Sequence, residues 1–246
     1  MKRMYGKTVK EIMIEYFNKL TNEDIILTKD IVNYFRDIYP KIKESTVIAH
    51  LIFFSTNAKS RIHYNGHDNG SSDLLFKINE KTYRLYNKNI DPDPIYKNDL
   101  STTENVNEII ENNDETDREF AYEKDLQNFL SKNLNIIEAG LKIFEEDDIT
   151  GIEYPAGGRY IDILAIDKDN NFVIIELKVS KGYDRVIGQL LRYIAWVEKN
   201  MANDGQKVRG IIICKEISDD LLLACSKVNN IELFEYELSI KLKKVL

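Results

Sequence analysis

The stretch GGRYIDILAIDKDNNFVIIELKVS, residues 157 to 180, decides the fold, because it holds two apolar runs separated by a short polar turn. The runs IDILAI and FVIIELK are apolar enough to be strands covered on both faces of a sheet. Each run nevertheless contains an acidic residue, Asp162 in the first and Glu176 in the second, and Lys178 follows two residues later. Because burying a charge is costly unless it is paired, these three residues are candidates for a functional site.

The turn DKDNN suggests how the two strands pair. If Ile166 pairs with Phe172, the same antiparallel register places Asp162 directly opposite Glu176, with their Cβ atoms about 4.5–5.5 Å apart. Side chains alternate between the faces of a strand, so Glu176 and Lys178 point to the same side. Two carboxylates this close repel unless a cation lies between them, and we therefore expect a Mg²⁺ site in which Mn²⁺ can substitute.

A hard cation in this place suits phosphodiester chemistry. Mg²⁺ needs only one or two carboxylates and completes its coordination with water and phosphate. It can polarise a phosphodiester and lower the pKa of a bound water. Lys178 would then orient or deprotonate that water, or stabilise charge on the phosphate. The alternative is an ordinary solvated Glu-Leu-Lys tripeptide, which the apolar flanks of FVIIELKV disfavour.

Further polar residues on the predicted helices suit the same site. Gln189 and Tyr193 lie four residues apart on a helix predicted from about 184 to 201, so they share a face. Glu123, on a helix predicted from about 118 to 133, can add a third carboxylate. Each also has a plainer interpretation, as a helix-surface amide, a core tyrosine and a solvated carboxylate respectively.

The rest of the C-terminal half alternates strands and helices. After the strand FVIIELK and the long helix come a strand VRGIIIC, a helix SDDLLLACSKV and a strand IELFEYE. This order predicts an α/β sheet flanked by helices, in a domain of residues 118–246.

These residues resemble a known group. The segments DILAID, IIELK and GQLLRYI, with EKDLQNFLSKNLNIIEAGL upstream, are similar to the PD-(D/E)xK nuclease superfamily, and most closely to its NucS-type catalytic domain. The resemblance covers about residues 119–240 and implies a restriction-endonuclease-like mixed sheet. It implies that Asp162 and Glu176 are metal ligands, that Lys178 is the catalytic lysine and that Glu123 lies near the metal. Gln189 and Tyr193 would complete the site, and Arg159 would contact phosphate.

The sequence departs from the family pattern in two places. Ile161 stands where the superfamily name has proline, a position that often varies in the superfamily. NucS-type proteins carry a β-rich N-terminal domain, whereas residues 1–90 here have helical periodicity first. Specificity for mismatched or branched DNA therefore does not transfer with the catalytic domain.

Residues 1–90 have the element order of a winged helix, an α+β domain. Helical patterns come first, followed by predicted strands SRIHY, LLFKI and YRLY. In a winged helix the third helix enters the major groove, with the hairpin beside it. We expect exposed, DNA-facing positions on the third helix and at the start of the wing: Ser45, Thr46, Ala49, His50, Phe53, Asn57, Lys59 and Arg61. The alternative is a small helical domain that binds a protein partner.

Charge is distributed unevenly along the chain. The net charge is -7 overall, but residues 1–90 hold 15 Lys and Arg against 10 Asp and Glu. Residues 91–117 are acidic, contain two of the four prolines and have few large apolar side chains. Such a segment cannot bury enough apolar surface to offset the conformational entropy lost on ordering. We therefore predict that it is a linker that keeps the two domains mobile.

The function that these patterns favour is a Mg²⁺-dependent DNA endonuclease of the restriction type, with a separate recognition domain and, because both strands must be cut, a homodimer. One alternative is a repair nuclease for mismatched, branched or single-stranded DNA. Another is a non-catalytic DNA-binding protein that retains the nuclease fold. RNA as a substrate stays open. The sequence has no glycine-rich phosphate-binding loop, so we expect no nucleotide cofactor. No apolar run approaches the length of a membrane span. The two cysteines, Cys214 and Cys225, suit a cytoplasmic setting.

Overall fold

The computed structural model of the chain describes residues 5–66, 70–96, 115–238 and residue 243. The N-terminal part begins with helices and ends in a small sheet of order β1-β3-β2. Its elements are α1 (Val9–Phe17), β1 (Ile26–Leu27), α2 (Thr28–Ile38), α3 (Glu44–Phe54), a 3₁₀ helix (Lys59–His63), β2 (Leu75–Asn79) and β3 (Thr82–Leu85).

Helix α1 begins where the sequence provides a cap. The Thr8 side chain accepts a hydrogen bond from the Glu11 N–H, and the Glu11 carboxylate accepts one from the Thr8 N–H. This reciprocal pair satisfies two of the donors that a helix start leaves free. The apolar side chains of α1 and α2 that recur at helical spacing, among them Met13, Ile31 and Phe35, are buried.

The C-terminal part is a mixed sheet with helices on both faces. Its elements are α4 (Glu115–Lys132), a 3₁₀ helix (Leu134–Ile136), β4 (Lys142–Ile143), β5 (Glu145–Glu146), β6 (Ile149–Thr150), β7 (Ile152–Pro155), β8 (Tyr160–Ile166), β9 (Phe172–Gly182), α5 (Arg185–Asn200), β10 (Val208–Ile217), α6 (Asp219–Cys225) and β11 (Ile231–Glu235).

The sheet has the order β11-β10-β9-β8-β4, with β7 also paired to β8. Strands β9, β10 and β11 run parallel, and β8 runs antiparallel to β9. Ile166 lies opposite Phe172 and Ile163 lies opposite Ile175, so the register predicted from the turn is confirmed. Continuing that register by one residue brings Asp162 to Glu176.

Successive side chains along the strands point to opposite faces of the sheet, so the apolar core has one part on each face. One cluster packs α4 on one face of the sheet and contains Leu126, Leu130, Ile163, Ile175 and Leu177. The opposite face packs against α5, whose Leu190, Tyr193 and Val197 are buried. Leu177 therefore points away from Glu176 and Lys178, as period-two alternation requires. No described helix is both long and apolar enough to cross a lipid bilayer.

The predicted first strand of the wing, SRIHY, is wrong: these residues lie largely in the 3₁₀ helix Lys59–His63. Arg61 is fully buried and forms an ion pair with Asp73, to which the Tyr96 hydroxyl also donates. Asn57 uses both ends of its amide on the Lys77 backbone, at 2.8 and 2.9 Å. Arg61 and Asn57 thus hold the N-terminal domain together and are not presented to DNA.

The expectation that α3 exposes a DNA-reading face is also wrong, because that face packs on the C-terminal domain. Ser45, Thr46, Ala49, His50 and Phe53 are all at most 4% exposed. The Ser45 hydroxyl donates to the Asn200 carbonyl at 3.2 Å, and the Thr46 hydroxyl donates to the Glu146 carboxylate at 2.8 Å. Of the predicted DNA-facing positions in this domain, Lys59 is the one that lies exposed in the described structure.

An acidic turn of the C-terminal domain fills the space beside α1 and α3. Asp148 pairs with Lys10 at 2.7 Å, and Asp147 accepts from the Val9 N–H at 3.2 Å and lies 3.6 Å from the His50 Nε2. A single apolar cluster runs through both domains. The two domains are therefore packed together, which corrects the expectation that they are independently mobile. Residues 97–114, most of the predicted linker, lie outside the described residues.

Candidate active site

The site is centred on Glu176 of β9, whose side chain is fully buried. Its Oε1 accepts hydrogen bonds from the Lys178 Nζ at 2.8 Å and from the Gln189 Nε2 at 2.6 Å. Its Oε2 is buried and has no hydrogen-bond partner within the described part of the chain. Burial raises the pKa of this carboxyl, and the Lys178 ammonium opposes that rise.

Asp162 of β8 faces the same space. Its Oδ2 accepts from the Leu177 N–H at 2.8 Å, which ties the side chain to the neighbouring strand beside Glu176. Burial, followed by the negative charge of Glu176, raises the pKa of Asp162 well above its ordinary value. Carboxyls pushed in this direction by a dry environment and by each other mark sites that gain from a bound cation.

Lys178 lies between carboxylates of two elements. In addition to Glu176, its Nζ is 3.4 Å from the Glu123 Oε1 of α4, and it donates to the Leu177 carbonyl at 2.7 Å. Burial lowers the pKa of Lys178, but Glu176, Asp162 and Glu123 together raise it above the ordinary lysine value. Helix α4 thus brings Glu123 to the site, where its carboxylate faces the Lys178 ammonium.

Gln189 and Tyr193 reach the site from α5. The Gln189 Nε2 also lies 3.4 Å from the Tyr193 hydroxyl, which in turn donates to the Tyr160 carbonyl at 2.7 Å. Tyr193 is buried, so it fixes the start of β8 two residues before Asp162. Burial raises the pKa of Tyr193, and the charge of Glu176 adds to that rise.

The donor set fits a hard divalent cation. The unpartnered Glu176 Oε2 is a buried oxygen for which the described residues supply no donor, and Asp162 lies on the same face. Within the described residues no group of three or more His, Cys, Asp and Glu side chains is arranged around a common centre. A pair of carboxylates is nevertheless what Mg²⁺ uses when water and substrate phosphate complete its shell.

Two residues near the site were not predicted from the sequence. The Gln127 Nε2 donates to the Asp162 carbonyl at 2.8 Å and to the Glu153 Oε1 at 3.1 Å. Glu153 has a left-handed backbone, φ 49°, and burial raises its pKa. Gln127 lies four residues after Glu123 on α4, a spacing that places both on one helix face and that could have identified it.

A cleft of about 270 Å³ opens beside Lys178. It is lined by Arg159, Ser180, Lys181, Tyr183 and Arg185, with Gln189 at its inner end. Arg159 follows a turn of two glycines with positive φ, and the Arg192 guanidinium donates to the Gly157 carbonyl of that turn at 2.7 Å. Arg159 therefore lies beside the site, and its contact with phosphate stays a prediction.

The N-terminal residues that were predicted to bind DNA do not join this site. Ser45 contacts Asn200 at the far end of α5, eleven residues from Gln189. At 1.5 Å per residue that is about 16 Å along the helix. Glu123, Asp162, Glu176, Lys178, Gln189 and Tyr193 do converge.

Two domain families match the chain. Residues 122–241 match the model described as "Endonuclease NucS C-terminal domain", and residues 8–85 match a "Domain of unknown function (DUF7669)". The C-terminal match contains the whole set of converging residues, and the N-terminal match contains α1 to β3.

Curated relatives match about two fifths of the chain. Endonuclease NucS of Pyrococcus horikoshii is 33% identical over 99 residues, 39% of this chain and 35% of the relative. Endonuclease NucS of Sulfolobus acidocaldarius is 31% identical over 100 residues, 41% of this chain and 36% of the relative. The chain thus covers about a third of the length of each.

Solved structures give weaker likenesses. A repair endonuclease from Pyrococcus abyssi is 26% identical, with a TM-score of 0.39 over 52% of this chain and 49% of that chain. An EndoMS–dsDNA complex is 18% identical, with the same TM-score over 66% of this chain and 55% of that chain. At these scores the likenesses add nothing to what the family match and the site geometry carry.

The family match and the mixed sheet agree with each other. The strand pair β8–β9, the flanking helices α4 and α5 and the buried acidic pair all lie within the matched residues. Residues 122–241 therefore form a NucS-type domain of the endonuclease NucS C-terminal domain family.

Proposed function

We propose that the protein is a metal-dependent DNA endonuclease that hydrolyses phosphodiester bonds at the site formed by Asp162, Glu176 and Lys178. The observation that carries this proposal is the buried acidic pair on adjacent strands, with one Glu176 oxygen unpartnered in the described structure and an ammonium 2.8 Å from the other. The family of residues 122–241 supports it.

Mg²⁺, with Mn²⁺ as a substitute, would be held by Asp162 and Glu176 and would supply Lewis-acid polarisation of the phosphate and a water of lowered pKa. Lys178 would orient that water or stabilise charge that develops on the phosphate. Glu123 holds the lysine from α4, while Gln189 and Tyr193 position Glu176 and the start of β8. Arg159 at the rim would contact a phosphate of the substrate.

The packing of α3 favours a repair-type nuclease over a restriction-type enzyme. A restriction enzyme reading a duplex through α3 would have to separate the two domains, because five predicted reading positions are buried. A nuclease that acts on mismatched, branched or single-stranded DNA needs no such separation. The curated relatives that match this chain bear the name Endonuclease NucS.

We infer that the protein works as a homodimer wherever it cuts both strands of a DNA, because two cuts require two sites. Light scattering of the purified protein, alone and with DNA, checks this. A mass of one chain under conditions where both strands are cut would contradict the inference.

Incubation of plasmid, phage and structured oligonucleotide DNA with Mg²⁺ tests the activity. The parent should cut, and the variants Glu176→Ala and Lys178→Ala should lose activity at least a hundredfold, on the order of the effect of other preorganised electrostatic groups. Glu198→Ala and Lys199→Ala, at the exposed far end of α5, are matched controls that should cut like the parent. Equal activity in Glu176→Ala and the parent would refute the assignment.

The same substrates separate the two kinds of nuclease. A repair-type enzyme should cut mismatched, flapped or single-stranded oligonucleotides in preference to a perfect duplex. Cleavage confined to one short duplex sequence would instead support a restriction enzyme. Binding without any cleavage would support a DNA-binding protein that retains the fold.

A further inference from the structure

The cleft beside Lys178 has an aromatic wall that the chemistry above does not use. Tyr183 lies between the end of β9 and the start of α5 and is 50% exposed. It lines the same cleft as Lys178 and Gln189. A large aromatic side chain that is half exposed beside a phosphodiester site is available for contact with a nucleotide base.

The position of Tyr183 is fixed by its neighbours. The preceding residue, Gly182, packs so closely that an added Cβ would lie 2.7 Å from the Cys214 Sγ and 2.9 Å from Leu221. The Tyr183 carbonyl accepts from the Val186 N–H at 3.1 Å, which anchors it to the first turn of α5. The Tyr183 backbone is therefore fixed between the end of strand β9 and the first turn of helix α5, at the rim of the cleft.

Arg185 contacts the Tyr183 ring. The Arg185 guanidinium carbon lies 5.8 Å from the ring centroid, within reach of a cation–π contact. Half of the Tyr183 side chain stays exposed, which leaves ring surface on which a planar base can stack. The positive charge of Arg185 also attracts an electron-rich base on the ring and the negatively charged phosphate attached to it.

The cleft has cationic groups to hold the phosphates. Arg159 and Arg185 both line it, are both exposed and form no ion pair with a described residue. Lys181 also lines it, but is paired with Glu216. At about 270 Å³ the cleft lies just below the range of about 300–1,000 Å³ for whole small-molecule sites, so it suits one unit of a polymer.

We propose that Tyr183, backed by Arg185, is a specificity-determining platform on which a base next to the cleaved phosphate stacks. Bases in a duplex have both faces covered by their neighbours, so only a single-stranded or unpaired base can take this place. The site therefore selects nucleic acid that is single-stranded or locally unpaired. This proposal rests on the nuclease function proposed above and adds a residue that determines its specificity.

The test uses the full chain and single-stranded oligonucleotides that carry 2-aminopurine at successive positions. The cut site of the parent is first mapped with Mg²⁺, and binding is then measured in a Lys178→Ala background that does not cut. We expect the fluorescence of one 2-aminopurine beside the cut site to be quenched on binding. Tyr183→Ala should abolish that quenching and weaken single-strand affinity about tenfold, with duplex affinity changed less than about twofold.

Two controls separate stacking from folding. Tyr183→Phe keeps the ring and should keep both quenching and affinity. Tyr122→Ala removes a tyrosine that is 64% exposed on α4, away from this cleft, and should change neither. Each variant is also compared with the parent by thermal unfolding.

The outcomes distinguish the two proposals. In one outcome the parent cuts DNA, while the Tyr183→Ala variant gives the same 2-aminopurine quenching and the same affinity as the Lys178→Ala protein. That result overturns the stacking platform and leaves the nuclease function standing. If Tyr183→Phe fails as badly as Tyr183→Ala, stacking is overturned in favour of the hydroxyl. If the parent does not cut any nucleic acid with Mg²⁺ or Mn²⁺, both proposals fall together.

Discussion

The Glu176 side chain is the centre of the proposed cation site. It is fully buried, and the described residues give one of its oxygens two donors and the other none. Burial raises its pKa and that of Asp162, where the Glu176 charge adds to the effect. Without a cation, two ionised carboxylates in this place destabilise the folded protein.

Replacement of Asp162 by Asn should therefore stabilise the metal-free protein while abolishing cleavage. The amide keeps an acceptor for the Leu177 N–H, which Asp162 now binds at 2.8 Å, and removes the buried charge. We expect a gain of about 0.5–2 kcal/mol in the free energy of unfolding, as for other neutralised active-site residues. Urea unfolding at pH 7 with EDTA measures it.

Asp125→Asn, on the exposed side of α4, is the matched control and should change stability by less than about 0.5 kcal/mol. A clear loss of stability in Asp162→Asn would mean that the carboxylate has a structural role, and that the pair is not strained.

At this scale the sequence predicted the converging residues well. Asp162, Glu176 and Lys178 could be placed because strand alternation and a short turn determine which side chains meet. Glu153 could not be placed, because its approach depends on a left-handed backbone, φ 49°, that no local pattern indicates. Tyr183 was missed because an exposed aromatic residue in a loop has no periodicity to mark it.

Among the secondary-structure elements, the strand β8 is positioned by a close backbone approach at Gly151. The Gly151 N–H donates to the Phe144 carbonyl at 2.7 Å, and its carbonyl accepts from the Leu164 N–H at 2.6 Å. A Cβ on this residue would lie 2.0 Å from the Leu164 carbonyl oxygen. Only glycine allows the chain between β6 and β7 to lie against β8, two residues from Asp162.

Gly151→Ala should consequently destabilise the protein by about 3 kcal/mol or more, since a backbone oxygen cannot move aside as a side chain can. Gly188→Ala is the contrasting variant, because an added Cβ on α5 meets nothing within 4 Å. Removing a helix-interior glycine should stabilise the protein by up to about 1 kcal/mol. Thermal unfolding compares both with the parent, and equal effects would contradict this role of Gly151.

The sequence predicted those helices and strands that have a clear pattern of apolar residues, and it did not predict those that lack one. The strand pair β8–β9 follows from two continuous apolar runs around a short turn, and helix α5 follows from an apolar pattern of period 3.6. The segment SRIHY alternates like a strand, but it is a 3₁₀ helix because the Arg61 side chain is drawn inward to Asp73. A tertiary ion pair of this kind has no local signal.

Across the whole molecule, the two domains share one interface built on acidic residues. Asp147 has a positive φ of 52°, accepts from the Val9 N–H and faces His50, which is 1% exposed. The nearby His50 ring is the main cause of a lowered pKa of Asp147, with burial opposing it. The ionised form therefore stabilises the packing of the domains.

Asp147→Asn should lower the free energy of unfolding by about 1–2 kcal/mol at pH 7, the size of a hydrogen bond to a charged group. Asn tolerates the left-handed backbone, so the change tests charge. A carboxyl whose folded pKa is lowered stabilises above its unfolded value of about 3.9 and loses that effect as pH falls through the folded pKa. The difference from the parent should therefore shrink below about pH 4.

Urea unfolding between pH 3 and pH 7 makes the comparison, with Asp37→Asn on the exposed side of α2 as control. A difference that is the same at pH 3 and pH 7 would show that the charge of Asp147 does not hold the domains together.

The sequence did not predict this packing. The third helix was predicted to expose a DNA-facing side, yet helix α3, which contains VIAHLIFF at residues 47–54, is buried on nearly all sides. A helix that is apolar around most of its circumference is typical of a buried position, which was the available signal. What covers its second face depends on a turn about 100 residues later in the chain, beyond any local pattern.

A crystal of the full chain soaked in Mn²⁺ tests the central claim most directly. We expect an anomalous difference peak in contact with carboxylate oxygens of both Asp162 and Glu176, about 2.0–2.3 Å from each, and its loss in Glu176→Gln crystals. Side chains of Asp162 and Glu176 that diverge in the soaked crystal, with no peak between them, would contradict the claim.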